Sequence, residues 1–223
     1  MIDFINTLDT KVFLELNQLH APFWDYFMSA FSGKVIWVPM YATVAYLMFK
    51  NLSWKVALSF LIAIALIIAL SDMTCAKVIR PLAERLRPAN IENPISHMVH
   101  IVENYRGGAY GFPSCHATNS FAFVTFLAMI IKNRLLLSFA FSWAVVNCYS
   151  RIYLGVHYTG DIIVGALVGS IIAWLVVTST RKIVTEKFEY NQPEYQHAAV
   201  FPIVQVLIIV GIADLGQTFQ LQK

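Results

Sequence analysis

Three groups of residues in this sequence have types and spacing that suit chemistry on a phosphate. They are Arg80-Pro81-Leu82-Ala83-Glu84-Arg85-Leu86-Arg87-Pro88, then Pro113-Ser114-Cys115-His116, then Ser150-Arg151 followed by His157 and Asp161. Each sits at the edge of a long apolar segment, where an ionisable residue is costly unless it is used. A phosphoryl group in transfer spreads negative charge over its equatorial oxygens, so a site for it is mostly positioning and electrostatic stabilisation. Arg80, Arg87 and Arg151 offer permanently charged planar forks that match phosphate oxygens. Ser114, with the backbone N–H groups of the helix it opens, adds neutral donors at a helix N-terminus. His116 and His157 have ordinary pKa values of ~6.5, which suits a proton donor and an attacking group near neutrality. Asp161 follows His157 by four residues. On a helix the two share a face, so the carboxylate can hold Nδ1 and leave Nε2 aimed at phosphorus.

Taken singly, each signal has a plainer explanation. A histidine at an apolar boundary is usually structural, arginines there anchor lipid headgroups, and a His–Asp pair can simply pack. Their joint occurrence, in one order and on one side of the chain's apolar segments, is what carries the reading.

The elements that must position these residues are helices in a membrane. Of 223 residues, 58% are apolar and 13% charged, the profile of a polytopic helical membrane protein. A net charge of +3 without any basic block does not suggest nucleic acid, and no nucleic-acid partner is expected. Cys75, Cys115 and Cys148 form no disulfide framework and no zinc signature. The amino terminus lacks the basic start and compact apolar core of a signal peptide.

The predicted fold is all-α: a bundle of about six transmembrane helices near 35–50, 55–75, 114–131, 135–151, 158–178 and 198–214. Each approaches the ~20 residues that cross the hydrocarbon layer, the first and third being short. Trp24, Trp37 and Trp54 lie near predicted ends, as interfacial aromatics do. Residues 1–20 form an amphipathic helix, with Ile5, Leu8, Val12, Leu16 and Leu19 on one stripe and Asp3, Asn6, Asp9, Lys11, Glu15 and Asn17 largely elsewhere. It is expected to lie in the interface until Ala21-Pro22 ends it. The organisation is then this helix, a core over 21–180, and a linker with a last transmembrane helix over 181–223. Polar stretches at 76–113 and 181–197, the latter containing Pro193, join the second span to the third and the fifth to the sixth.

Six spans put the 76–113 loop and the turn near 151–157 on the same side, so the three groups can converge. The opposite connections carry Lys50, Lys55, Lys132, Arg134, Arg181, Lys182 and Lys187, whereas Lys11, Lys34 and Lys223 remain on the motif side once the candidate ligands are set aside. The positive-inside rule makes the lysine-rich side cytoplasmic and the motif side external.

The three groups resemble the signature motifs of the type 2 phosphatidic acid phosphatase family, which shares its site with vanadium haloperoxidases and bacterial acid phosphatases. The family pattern is Lys, six residues, Arg-Pro; then Pro-Ser-Gly-His; then Ser-Arg, five residues, His, three residues, Asp. Arg80 with Arg87-Pro88 matches the first with Arg in the Lys position, Lys77 being three residues out of register. Pro113, Ser114 and His116 match the second, with Cys115 replacing Gly, and Ser150, Arg151, His157 and Asp161 match the third throughout. The motifs cover residues 80–161 and the similar helical arrangement about 24–178.

This resemblance implies a phosphohistidine at His157, protonation of the leaving oxygen by His116, orientation by Asp161, and release of phosphate by water without a metal. It implies phosphate binding by Arg80, Arg87, Ser114, Cys115 and Arg151, with Cys115 placing a side chain beside the oxyanion donors. The expected activity is hydrolysis of a lipid phosphate at the outer face of a bacterial cytoplasmic membrane. Undecaprenyl diphosphate, lipid A phosphates and phosphatidylglycerol phosphate are the candidate substrates. The segment Tyr105-Arg106-Gly107-Gly108-Ala109-Tyr110-Gly111 also resembles a loop of cell-envelope members. A lipid-to-lipid phosphotransferase and a non-enzymatic lipid transporter are the alternatives, and the oligomeric state stays open.

Overall fold

Helices occupy every predicted apolar segment. The computed structural model describes residues 2–188, 190, 194–195 and 197–221, so Pro193 and Lys223 lie outside it. In chain order the helices are α1 (Ile2–Asn17), α2 (Pro22–Phe31), α3 (Val38–Asn51), α4 (Trp54–Met73), α5 (Arg80–Ala83), α6 (Cys115–Ile130), α7 (Arg134–Tyr153), α8 (Thr159–Phe188) and α9 (Val200–Leu221). Among the described residues the one extended pairing is a single bridge between Leu86 and Tyr110. Local chemistry sets the boundaries. Pro22 opens α2, Asn133 caps α7 by accepting from Leu136 N at 2.9 Å, and Ser114 caps α6.

Three boundaries differ from the sequence reading. The polar stretch expected to begin at 76 stays helical through Ala83, because α4 continues through a π-helical turn at Thr74–Ile79 into α5. That turn falls just before Pro81, whose ring removes a donor from a regular α-helical ladder. Arg80 therefore projects from a helix. Likewise α7 continues through Arg151 to Tyr153, and α8 runs to Phe188 because no Gly or Pro interrupts 170–188. Much of the expected 181–197 linker is thus helical.

The continuous helix Trp54–Ala83, α7 and α8 are long and apolar enough to cross a membrane. The 16 residues of α6 rise only ~24 Å, and α3 is shorter still. Exposed Ile163, Leu167, Ile171 and Trp174 give α8 an apolar outer face suited to hydrocarbon.

Inside the bundle, α6 packs between α4, α7 and α8. Its contact with α8 is backbone to backbone. A Cβ on Gly169 would come within 2.0 Å of the Thr118 carbonyl oxygen, and one on Gly165 within 2.6 Å of the Ser114 carbonyl oxygen. The Gly165-x-x-x-Gly169 face thereby lets α8 close onto the start of α6.

Helix α1 combines two surfaces. Ile5 and Leu8, and Leu19 just past the helix end, are exposed, as expected of a stripe turned to lipid. Asp9 and Asn17, however, are not on a solvated face: with Phe13 they form the side that docks on the motif loops, and Phe13 and Asn17 are fully buried. Asn17 Nδ2 reaches the carbonyls of Ile152, Tyr153 and His100 at 3.0, 2.9 and 3.1 Å, while its Oδ1 accepts from His100 N at 2.8 Å. Ile152 O also accepts from Gly155 N at 2.9 Å, so Asn17 adds a second donor there while tying the last carbonyls of α7 to the 100 loop.

Candidate active site

The first motif reaches the site by a reversal. Glu84, at φ 43°, ends α5, and the chain returns alongside 109–111 through Arg87 N to Ala109 O (3.0 Å) and Gly111 N to Arg85 O (2.9 Å). The return buries Arg87, whose Nη1 donates to Val156 O and to His157 Nε2, each at 2.9 Å. A Cβ at Gly111 would lie 3.1 Å from both Asp161 Oδ2 and Arg87 Cγ, so the segment fits closely over the histidine–aspartate pair and a side chain there would push on both.

The third motif turns between α7 and α8. Gly155, at φ 73°, has no room for a side chain, since a Cβ would lie 2.6 Å from Val99 and 2.8 Å from His100 O. His157 follows, nearly inaccessible. It precedes α8 rather than lying on it, so the expected shared helical face is corrected. Asp161, in the first turn of α8, reaches back: Oδ2 accepts from Tyr158 N at 3.0 Å and faces His157 Nδ1 at 3.3 Å. The four-residue spacing works through a capping turn. The other oxygen, Oδ1, accepts from Arg85 Nη1 at 2.8 Å.

The second motif closes the site. Ser114 N donates to Asp161 O at 3.0 Å, and Ser114 Oγ accepts from Ala117 N at 3.4 Å as the α6 cap. Arg80 Nη2 donates to Pro113 O and to Cys115 Sγ, both at 3.1 Å. Arg151 donates to Ser32 Oγ. His116 and Arg151 line a cavity of about 630 Å³ with Ser32, Lys34 and Tyr105. A second, largely apolar cavity of about 520 Å³ leads from Cys115 and His116 among Trp37, Tyr41, Phe123 and Trp143. All eight residues singled out from the sequence belong to this one end of the bundle.

The electrostatics are strongly cationic. Arg80, Arg87 and Arg151 pair with no carboxylate among the described residues, because Asp161 is bound to Arg85. Their Nε atoms are buried without hydrogen-bond partners. Burial, aided by Arg80 and Arg151, pushes Arg87 down to about 10, which leaves it charged at neutral pH. Burial first, then Arg87, Arg151 and Arg80, holds His157 well below the ordinary imidazole range. Buried cations without counter-ions are costly, and an anion bearing several oxygens relieves that cost. No group of three or more His, Cys, Asp or Glu side chains among the described residues is arranged to hold a metal ion.

The sequence reading gave no role to three residues here. Arg85 lies inside the first motif but points to Asp161. Lys34 lines both cavities. Asp9 accepts from Arg85 Nη2 at 2.7 Å and from Gly160 N at 2.8 Å. The available signal for Asp9 was its i, i+4, i+8 series with Phe13 and Asn17, a second face of α1.

A family model described as the PAP2 superfamily matches residues 54–184. A protein of Bacteroides thetaiotaomicron named lipid A 4'-phosphatase is 47% identical over 216 residues, covering 97% of this chain and 96% of that protein. One of the same name from Porphyromonas gingivalis is 33% identical over 175 residues, covering 78% and 74%. Among solved structures, the crystal structure of Aquifex aeolicus LpxE is similar with a TM-score of 0.58 at 22% identity, covering 77% of this chain and 95% of that one.

Proposed function

This chain belongs to the PAP2 superfamily, and we propose that it is an integral-membrane phosphatase that removes phosphate from lipid A or a related envelope lipid through a phosphohistidine at His157. The observation that carries this is the placement of three guanidiniums, none with a carboxylate partner among the described residues, about a buried histidine whose Nε2 accepts from Arg87. The names of the two relatives support the substrate class. So does the apolar cavity, which can take a chain while the phosphate occupies the polar end.

In this reading, the substrate phosphate takes the donors of Arg80, Arg87 and Arg151, with Ser114 and Cys115 at the opening of α6. Arg87 transfers its Nη1 from His157 to a phosphate oxygen. Nε2 then attacks phosphorus in line, the P–O bond to the lipid breaks, and His116 gives a proton to the leaving oxygen. Asp161 accepts a hydrogen bond from Nδ1–H and stabilises the charged ring. Water next attacks the phosphohistidine, His116 takes its proton, and inorganic phosphate leaves. The guanidiniums supply the positive charge that a divalent ion supplies in many phosphoryl-transfer sites. The site opens to the outer face of the bacterial cytoplasmic membrane, as the placement of basic residues in the opposite connections supports.

The test is phosphate release by the purified protein from lipid A, undecaprenyl diphosphate and phosphatidylglycerol phosphate, each with and without excess EDTA. Release equal to lipid A consumed, undiminished by chelation, is the expected result. Release from none of the three, or strict restoration by a divalent cation, overturns the reading. Lipid A consumption without free phosphate would identify a phosphotransferase instead.

A further inference from the structure

We propose that Arg85, held in place by Asp9 of the N-terminal helix, is a positioning residue for the His157–Asp161 pair; this rests on the phosphatase reading above. Asp161 is fully buried, and its carboxylate is fixed at both ends. Oδ2 faces the imidazole and the Tyr158 amide, so Oδ1 is left for a charged donor, which Arg85 Nη1 provides at 2.8 Å. A buried carboxylate without a cation is expensive, and removing the cation frees it to rotate or protonate.

Arg85 is itself constrained on two sides. Nη2 donates to Asp9 Oδ2 at 2.7 Å, and the guanidinium lies 4.0 Å from the Tyr158 ring centroid. Tyr158 in turn accepts from Asn93 Nδ2 at 2.9 Å and packs edge-on against Phe13, 5.3 Å between ring centroids. Asp9 is anchored again through Oδ1 to Gly160 N, in the first turn of the helix that carries Asp161. The interfacial helix, the first motif and the third motif are thus joined in one chain of charge-assisted hydrogen bonds that ends on the attacking ring. Arg85 lines neither of the two cavities at His116; it acts through Asp161.

Turnover of detergent-solubilised lipid A by Arg85→Gln, Arg85→Lys, Asp9→Asn and the Asp9→Asn/Arg85→Gln double variant tests this. In metal sites, partners that orient a ligand through its second hydrogen bond are worth about 10–100-fold in activity, and the same logic of orientation applies to this histidine. The expected result is a kcat loss of that size in Arg85→Gln, with KM and competitive inhibition by inorganic phosphate unchanged. Arg85→Lys should recover most of the loss. Asp9→Asn should lose less, and the double variant no more than Arg85→Gln, since the two residues act in series. Wild-type kcat in Arg85→Gln, a change confined to KM, or multiplicative losses in the double variant would overturn the inference. If Arg85→Gln does not fold, an unchanged kcat in Asp9→Asn overturns it. A readout without turnover is the 15N relaxation of the His157 ring, whose mobility should rise in Asp9→Asn and more in Arg85→Gln. Unchanged mobility in an enzyme that releases phosphate sinks this inference and leaves the phosphatase reading, whereas a wild type that releases no phosphate sinks the phosphatase reading itself.

Discussion

Arg87 Nη1 lies 2.9 Å from His157 Nε2, and that contact fixes the tautomer of the ring. A guanidinium has donors only, so Nε2 must accept and the ring proton must sit on Nδ1. Nδ1 faces Asp161 Oδ2 at 3.3 Å. The nitrogen suited to attack is therefore unprotonated and covered by a cation that an arriving phosphate can recruit.

Replacing His157 with Ala is expected to lower kcat for lipid phosphate hydrolysis by about 10³-fold or more, the scale of losing a nucleophile. The truncation leaves Arg87 and Asp161 each short of one buried partner, so a stability loss of ~1–3 kcal/mol accompanies it while the protein stays folded. A 32P-labelled phosphoenzyme trapped by rapid quench should be present in wild type and absent from the variant. Substantial residual turnover would remove His157 from the role.

The acid sensitivity of the fold should report the burial of His157. Its pKa is depressed in the folded state, while the unfolded chain titrates near ~6.5. Below that value the unfolded state binds the extra proton, so the residue's contribution is complete above ~6.5 and shrinks as pH falls. Each pH unit below ~6.5 costs the wild type up to ~1.4 kcal/mol from this group alone. The drop in thermal midpoint between pH 7.5 and pH 5 should accordingly be smaller in His157→Gln, and an equal drop would contradict the assignment.

Asn17→Ala should destabilise the folded protein by ~1–3 kcal/mol, the usual cost of leaving buried backbone groups unsatisfied. Asn17 contacts three carbonyls and one amide at the junction of α1 with the site. Denaturant unfolding in detergent, followed by tryptophan fluorescence, measures the effect. A change below a few tenths of a kcal/mol would show that water replaces Asn17 without cost.

Sidedness can be read with single cysteines in a background lacking Cys75, Cys115 and Cys148. Glu92 and Glu186 are both exposed and lie on opposite sides in the topology argued above. Glu92→Cys should react with an impermeant maleimide in intact spheroplasts, and Glu186→Cys only after lysis. The reverse pattern would put the site in the cytoplasm and eliminate substrates presented only in the outer leaflet.

The helices and the chemically loaded residues were legible because each rests on a local rule. Crossing hydrocarbon requires runs of apolar residues, and handling a phosphate requires Arg, His and Asp at separations that turns can close. The class of the fold followed from the chain alone, and so did the choice of His116, His157, Asp161, Arg80, Arg87 and Arg151 as candidates, which the fold brings to one end of the bundle.

The functions of similar residues did not. Arg80, Arg85 and Arg87 are indistinguishable as side chains. The left-handed turn at Glu84 and the pairing of 85–87 with 109–111 send Arg85 to Asp161 and Arg87 to His157. Asp9, far away in sequence, reads as part of a wet helix face until α1 docks and makes it the partner of Arg85. A polar residue's burial depends on what long-range packing brings opposite it, and that information is in no local window. The sequence by itself determined which chemistry this chain can perform; only the tertiary structure decided which charge holds which, because buried ion pairs are chosen by geometry across the whole fold.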